Sequence, residues 1–312
     1  MSASAACRAF APATVSNVAC GFDVLGFAVA GPGDLVTAER RDEPGVVIAA
    51  LEGDGGRLPR EVERNTAGVA VRALLERAGA GGLGVALSIE KKMPLASGLG
   101  SSAASAVAAV VAADALLALG ASRSDLLACA LEGELMACGS AHADNAAPSL
   151  FGGFVLVRAN APLDIVELPV PAGLSCALVR PHVEVETRRA RQVLGDSVAL
   201  SAATRQCGNL AGLVTALFRA DFALLGRSLE DHIAEPKRAE LVPGFRAAQA
   251  AARAAGALGC SLSGSGPSIF ALCASLPEAE VVADAMKAAL DRLAIPADRL
   301  VSAVGTRGAQ LV

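Results

Sequence analysis

The run Pro94-Leu95-Ala96-Ser97-Gly98-Leu99-Gly100-Ser101-Ser102-Ala103-Ala104, continued by an alanine- and valine-rich stretch to Leu119, constrains this chain most. Small residues let a backbone approach a ligand closely, and the apolar stretch reads as a buried helix opening directly out of the glycines. A helix start exposes unsatisfied N–H groups and roughly half a positive charge, which favours phosphate. The second hydroxyl, Ser102, is of the type that ligates a divalent cation travelling with a nucleoside triphosphate. Taken alone, the segment also reads as a tight strand-to-helix connection. No lysine follows the glycines as in a P-loop, and the spacing is not that of a dinucleotide fingerprint, which disfavours a nicotinamide-dependent oxidoreductase.

Composition narrows the partners. With 312 residues, 53% of them hydrophobic and 19% charged, the chain is large enough for two intimate domains and too apolar for disorder. The net charge is −4, Lys+Arg number 27 against 31 Asp+Glu, and there is no Trp or Tyr. Neither a basic stripe nor a stacking surface is available, so nucleic acid and anionic membrane are poor partners. None of the 8 cysteines forms a C-x-x-C pair, and most sit in apolar runs as buried small hydrophobes. The start of the chain lacks a sustained apolar segment of the secretory type, and the run Ser101–Leu119 carries Asp114. The expectation is a soluble, cytoplasmic protein.

Periodicity predicts strands at Arg8–Ala13, Ala28–Glu39, Val46–Leu51, Gly84–Lys91 and Phe154–Val157, with a polar loop over Thr14–Leu25. It predicts helices at Asn65–Ala78, from about Ser101, and from Ser122 to Cys138, where Ser122 and Asp125 resemble a capping box. In the second half strands are expected at Leu174–Val179 and Ile269–Ala274. Helices are expected there at Thr204–Phe218, Phe222–His232, Phe245–Ala255 and Glu278–Leu293. The proline-rich stretch Pro162–Pro171 suggests a boundary, drawn at 165/166.

Glu134 stands out on the Ser122–Cys138 helix because it continues the apolar line of Leu127 and Leu131. A carboxylate there is costly to bury unless it meets a cation, whereas Glu132 lies about 160° away and reads as solvated. Other candidates are less distinctive. Asn17 and Asp23 read as turn residues, Asn65 as a helix N-cap, and Arg188, Arg189 and Arg191 as a basic helix face. His142, Asp144 and Asn145 form a polar cluster, and Ser263-Gly264-Ser265-Gly266-Pro267 a second glycine turn.

The Pro94–Ala104 string resembles the phosphate-binding motif of the GHMP family of small-molecule kinases, and the resemblance runs nearly end to end. It takes in Ala11-Pro-Ala-Thr-Val-Ser-Asn-Val-Ala-Cys-Gly-Phe-Asp-Val-Leu-Gly, Gly139-Ser-Ala-His-Ala-Asp-Asn-Ala-Ala-Pro, Ile233-Ala-Glu-Pro-Lys-Arg and Ser263-Gly-Ser-Gly-Pro-Ser, in that order. Within the family it is nearest to the homoserine-phosphorylating branch. The resemblance implies an α+β, two-domain GHMP kinase fold: an N-terminal α+β domain with a left-handed βαβ unit (1–165) that binds ATP, and a ferredoxin-like C-terminal domain (166–312) on the substrate side. It implies nucleotide contacts at Asn65 and at Pro94, Leu95, Ala96, Ser97, Gly98, Leu99, Gly100, Ser101, Ser102, Ala103 and Ala104, with Mg²⁺ on Ser102 and Glu134.

By the same resemblance, Asn17, Asp23, His142, Thr187, Arg191 and Arg238 bind L-homoserine, the two arginines clamping its α-carboxylate. Glu134, His142 and Asn145 lie beside the reacting groups. Glu186 departs from the family's Ser-Thr-x-x-Ala-Arg pattern, so no role passes to it from that serine. The implied reaction is ATP-dependent phosphorylation of the homoserine hydroxyl in threonine biosynthesis, by a homodimer. Two other readings stay open at this point: a family kinase of another hydroxy acid or polyol, and a non-catalytic ligand sensor on the same fold.

Overall fold

The computed structural model describes residues 6–139, 141–305 and 307–312, the side chains of 137 and 138 excepted. Ser140 of the central motif, and the side chain of Cys138, therefore lie outside the described residues.

The chain forms two sheets, of seven and four strands. The first contains β1 (Ala6–Ser16), β2 (Leu25–Arg41), β3 (Gly45–Glu52), β4 (Gly84–Glu90), β5 (Phe154–Asn160), β6 (Leu163–Leu168) and β11 (Gln310–Leu311). Its main path is β11-β1-β2-β4-β3, with β5 on the inner end of β2 and β6 on β5. β3 and β4 run parallel and are joined through α1 (Thr66–Arg77), as a crossover requires. The second sheet, β10-β7-β9-β8, is built from β7 (Ser175–Pro181), β8 (Gly259–Leu262), β9 (Ile269–Cys273) and β10 (Ala297–Ala303). All its pairs are antiparallel, and the order is that of a ferredoxin-like domain.

The remaining helices are α2 (Ser101–Leu117), α3 (Arg123–Cys138), α4 (Ala143–Phe151), α5 (Thr187–Gln192), α6 (Leu200–Arg219), α7 (Phe222–Ser228), α8 (Glu235–Arg238), α9 (Phe245–Ala254) and α10 (Leu276–Arg292). Helix α2 is the axis of the first half. Its alanines are buried nearly all round, and it packs on β1, β2, α1, α3 and α4. Its many one-carbon alanine side chains let those five elements approach it from every side, which accounts for a helix buried nearly all round. The two sheets meet through Phe27 on β2, whose ring lies 5.3 Å from that of Phe154 and 6.1 Å from that of Phe270 on β9. One core therefore runs from the first sheet into the inner face of the second. A smaller core lies between the second sheet, α9 and α10, around Phe245 and Met286.

The strands predicted in both halves are present, most of them longer than periodicity suggested. The polar loop expected over Thr14–Leu25 narrows to 17–24, because Thr14, Val15 and Ser16 continue the β1 ladder after a register shift at Pro12/Thr14. The helix expected over Phe222–His232 stops at Ser228. Asp231 then accepts from Ile233 N at 2.8 Å, Ala234 N at 3.0 Å and Glu235 N at 2.8 Å, which turns the chain into α8 instead. Helix α4 and strands β6, β8, β10 and β11 carry no periodicity that announces them. Strand β6 spans the 165/166 boundary and stays with the first sheet. Among the described cysteines Cys207 is exposed on α6 and Cys7 half-buried, while Cys20, Cys129, Cys176, Cys260 and Cys273 are buried.

Phe27→Ala removes the ring shared by both sheets and should destabilise the protein by about 3–5 kcal/mol. The fall in urea midpoint at unchanged slope measures it.

Candidate active site

One cavity of about 1210 Å³ lies between the halves, lined from β1, the 92–100 loop, α1, α2, α3, α4, α5 and α8. Its floor is the start of α2. Gly100 is the N-cap in a left-handed conformation (φ 69°) with no side-chain cap, so the first-turn N–H groups are left for a ligand. A side chain at Gly100 would sit 2.2 Å from Thr14 Oγ1, and one at Gly98 (φ 75°) would sit 2.6 Å from Ser263 O. Both positions therefore need glycine for space as well as for backbone conformation.

The loop is braced from the second half. Ser263 donates its hydroxyl to Gly98 O at 2.6 Å, and Ser268 donates its hydroxyl to Ser97 O at 2.6 Å. Thr14 N donates to Leu99 O at 3.0 Å from the first half. The Ser263–Ser268 turn thus holds the phosphate-loop candidate in place. Beneath the loop lies a group that sequence reasoning did not find. Lys91, 2% exposed at the side chain, pairs with the fully buried Asp34 and donates to Ser101 O at 2.8 Å and Ser105 Oγ at 2.7 Å. Asp34 also accepts from Lys92 N at 3.1 Å and Ser105 Oγ at 2.7 Å. The first turn of α2 is pinned to β2 and β4 by this ion pair.

Leu95, Ala96, Ser97, Gly98, Gly100, Ser101, Ser102 and Ala103 line the cavity. Pro94, Leu99 and Ala104 are not in the lining: Pro94 is exposed, while Leu99 and Ala104 are buried in the core. Asn65 lines the cavity and also caps α1, accepting from Ala67 N at 3.1 Å and Gly68 N at 3.3 Å. Ser97 Oγ is buried without a hydrogen-bond partner among the described residues.

Glu134 and Glu132 separate as the helix geometry requires, Glu134 being 2% exposed and Glu132 exposed to solvent. Glu134 Oε2 lies 3.7 Å from His142 Nδ1, and Oε1 has no hydrogen-bond partner among the described residues. The carboxylate holds the His142 pKa above its ordinary value against the opposing effect of burial. A buried carboxylate oxygen without a hydrogen-bond partner among the described residues and the Ser102 hydroxyl line the same cavity, and both are donor types that suit a hard divalent cation.

At the other end, the 17–24 loop carries a run of left-handed residues: Asn17, Val18, Ala19 and Asp23 have φ of 69°, 40°, 56° and 60°. Such strain persists where the surroundings fix it. Asn17 does the fixing: its Nδ2 donates to Gly264 O at 2.9 Å, its Oδ1 accepts from Asp23 N at 3.0 Å, and its N–H donates to Asp144 Oδ2 at 3.3 Å. Asp23 receives both terminal nitrogens of Arg191. Arg238 is 3% exposed and donates to Ala190 O and Gly264 O, each at 3.0 Å. Burial, then the like charge of Arg191, lowers its pKa. Asn145 accepts from Thr14 Oγ1 at 2.9 Å and donates to Ser16 Oγ at 3.0 Å. Thr187, at the start of α5, lines the cavity, whereas Glu186 is exposed and outside the lining.

Asp144 belongs to the site as well, though its sequence context gave it no separate role. It is buried in the lining, and its pKa is pushed up to about 6 from 3.8, first by burial and then by the charge of Asp23.

Family models for the GHMP kinases match both halves, the N-terminal domain over residues 65–153 and the C-terminal domain over 213–292. The homoserine kinase of Chlorobium phaeobacteroides (strain DSM 266) is 49% identical over 98% of this chain and 99% of its own length. The chain belongs to the GHMP kinases, in the homoserine kinase branch. The homoserine kinase of Chloroherpeton thalassium is 50% identical over 89% of this chain and 90% of its own length. The crystal structure of homoserine kinase from Cytophaga hutchinsonii superposes with a TM-score of 0.97 at 52% identity, covering 100% of this chain and 99% of that one. These relatives cover between 89% and 100% of this GHMP kinase.

An acid whose folded pKa lies above its ordinary 3.8 contributes stability that is full below that value and is lost as pH rises through about 6. Asp144→Asn keeps an acceptor for Asn17 N–H and escapes that loss. It should match the native protein near pH 4 and exceed it by on the order of 3 kcal/mol above pH 7. Melting curves at the two pH values test this.

Proposed function

We propose that this GHMP kinase transfers the γ-phosphoryl group of ATP to the side-chain hydroxyl of L-homoserine, giving O-phospho-L-homoserine for threonine biosynthesis. The observation that carries the reading is the polarity of the cavity. One end has an uncapped helix start and an orphaned carboxylate, and the other has two carboxylates facing two guanidiniums. The first suits a phosphate chain and the second suits an α-amino acid. A neutral polyol has no charged group to match either the carboxylates or the guanidiniums of the second end.

The N–H groups of Gly100–Ala103 and the positive end of α2 receive the phosphates, and the Ser263–Ser268 brace keeps them aimed. Glu134 and Ser102 would hold Mg²⁺, which supplies charge neutralisation on the transferred group. His142 steadies the Glu134 carboxylate. Arg191 and Arg238 orient the substrate carboxylate, Asp23 and Asp144 its ammonium, and Asn17 fixes the loop that carries Asp23. With both ends seated, the hydroxyl faces the phosphate end, and catalysis is mainly positioning and electrostatics. No helix among the described residues is long and apolar enough to cross a membrane. The reading includes a cytoplasmic location and a homodimer.

Glu134→Gln should lower kcat by roughly 100- to 1000-fold with the melting temperature nearly unchanged, and Glu132→Gln by less than about threefold. Coupled ADP-release assays check both, and equal effects overturn the assignment of Glu134. The same assay across homoserine, serine, threonine, mevalonate and galactose tests the substrate, and comparable turnover of galactose and homoserine refutes the amino-acid reading.

A further inference from the structure

Four charges converge beside the 17–24 loop: Asp23, Asp144, Arg191 and Arg238. Two of them are fixed to backbone. Arg238 is held by the carbonyls of Ala190 and Gly264, and Asp144 by the N–H of Asn17. The other two hold each other. Arg191 places Nη2 3.1 Å from Asp23 Oδ1 and Nη1 on Oδ2, a forked pair that uses both terminal nitrogens. Their side chains are 42% and 37% exposed, so the pair opens on the cavity. The ring of Phe22 lies 5.3 Å from the Arg191 guanidinium and 5.1 Å from that of Arg238. That shared ring holds Arg191 near Arg238 by a contact independent of Asp23.

We propose that the Arg191–Asp23 pair is an internal stand-in for the two charges of an α-amino acid, and that substrate enters by ion-pair exchange. This rests on the reading of these residues as the amino-acid end of the site. The incoming α-carboxylate takes the Arg191 fork from Asp23, and the ammonium takes the released Asp23. The exchange leaves every charge paired only when one ligand brings both groups. A ligand with a carboxylate alone strands Asp23 beside Asp144. A ligand with an ammonium alone strands Arg191 beside Arg238, whose pKa is already lowered by burial and by the charge of Arg191. Half-charged alcohols are therefore rejected by what they leave behind, in addition to the contact they lack. The pair is half-exposed, so water takes up part of each stranded charge and the discrimination is moderate.

The test uses kcat/KM of the native enzyme for homoserine, 4-hydroxybutanoate (no amine) and 3-aminopropan-1-ol (no carboxylate). Each one-ended alcohol should fall about 100-fold or more below homoserine. The decisive arm is a gain. D23N frees Arg191, so its kcat/KM for 4-hydroxybutanoate should rise about 10-fold over native while that for homoserine falls. R191Q gives the reciprocal measurement with 3-aminopropan-1-ol, and it serves if D23N does not fold. One-ended alcohols within about threefold of homoserine on the native enzyme overturn the exchange, as does a folded D23N or R191Q that shows no gain. Absence of homoserine turnover by the native enzyme is a different result, and it removes the functional reading itself.

Discussion

The position of the first turn of α2 governs everything the cavity does. A helix start is useful to a phosphate only if its N–H groups stay uncapped and fixed in direction, and an uncapped helix end is not stable by itself. Here three separate elements hold it. The Lys91–Asp34 ion pair grips Ser101 and Ser105 from below, Thr14 takes the Leu99 carbonyl from the side, and the Ser263–Ser268 turn reaches across from the second sheet. Each contact goes to a carbonyl or a hydroxyl and leaves the amides alone. The site is thus rigid without being self-satisfied.

The same economy marks the charged groups. Burying a charge is tolerated where a partner offsets it, and Asp34 with Lys91 is such a case. Among the described residues Glu134 Oε1 has no hydrogen-bond partner, and Asp144 has a backbone N–H and a strongly raised pKa. Unmet negative charge is therefore concentrated at the two ends of one cavity, and each end calls for a positive group from a ligand. Stability is given up at those positions and recovered in the alanine-lined core around α2.

Much of this could be read from residue order, and the reasons differ by element. The strands and helices with regular periodicity, such as β4, α1 and α10, follow from local pattern. Glu134 was distinguishable from Glu132 because helix geometry alone sorts the two faces. Asp34 and Lys91 were not, because their meaning depends on β2 and β4 pairing side by side, Val36 opposite Ile89. A lone acid inside an apolar strand and a lysine at the end of another were the available signals. Asp144 was legible only as a member of the His142 cluster, because its partner Asn17 lies on an element far away in the chain. Helix α4 carries Pro148 inside it, which local rules read as a break, yet tertiary packing keeps the helix intact.

Strand β11 pairs Leu311 with Ala9 and Gln310 with Phe10, while Val29 bridges to Val304. The outer margin of the first sheet is thus completed by residues made some three hundred positions after β1. During vectorial synthesis on the ribosome the nucleotide-binding half must wait, its β1 margin unsealed, until the ferredoxin-like half has been translated. Until β11 is made, the β1 margin is an unpaired strand edge, the kind of edge that other strands can join.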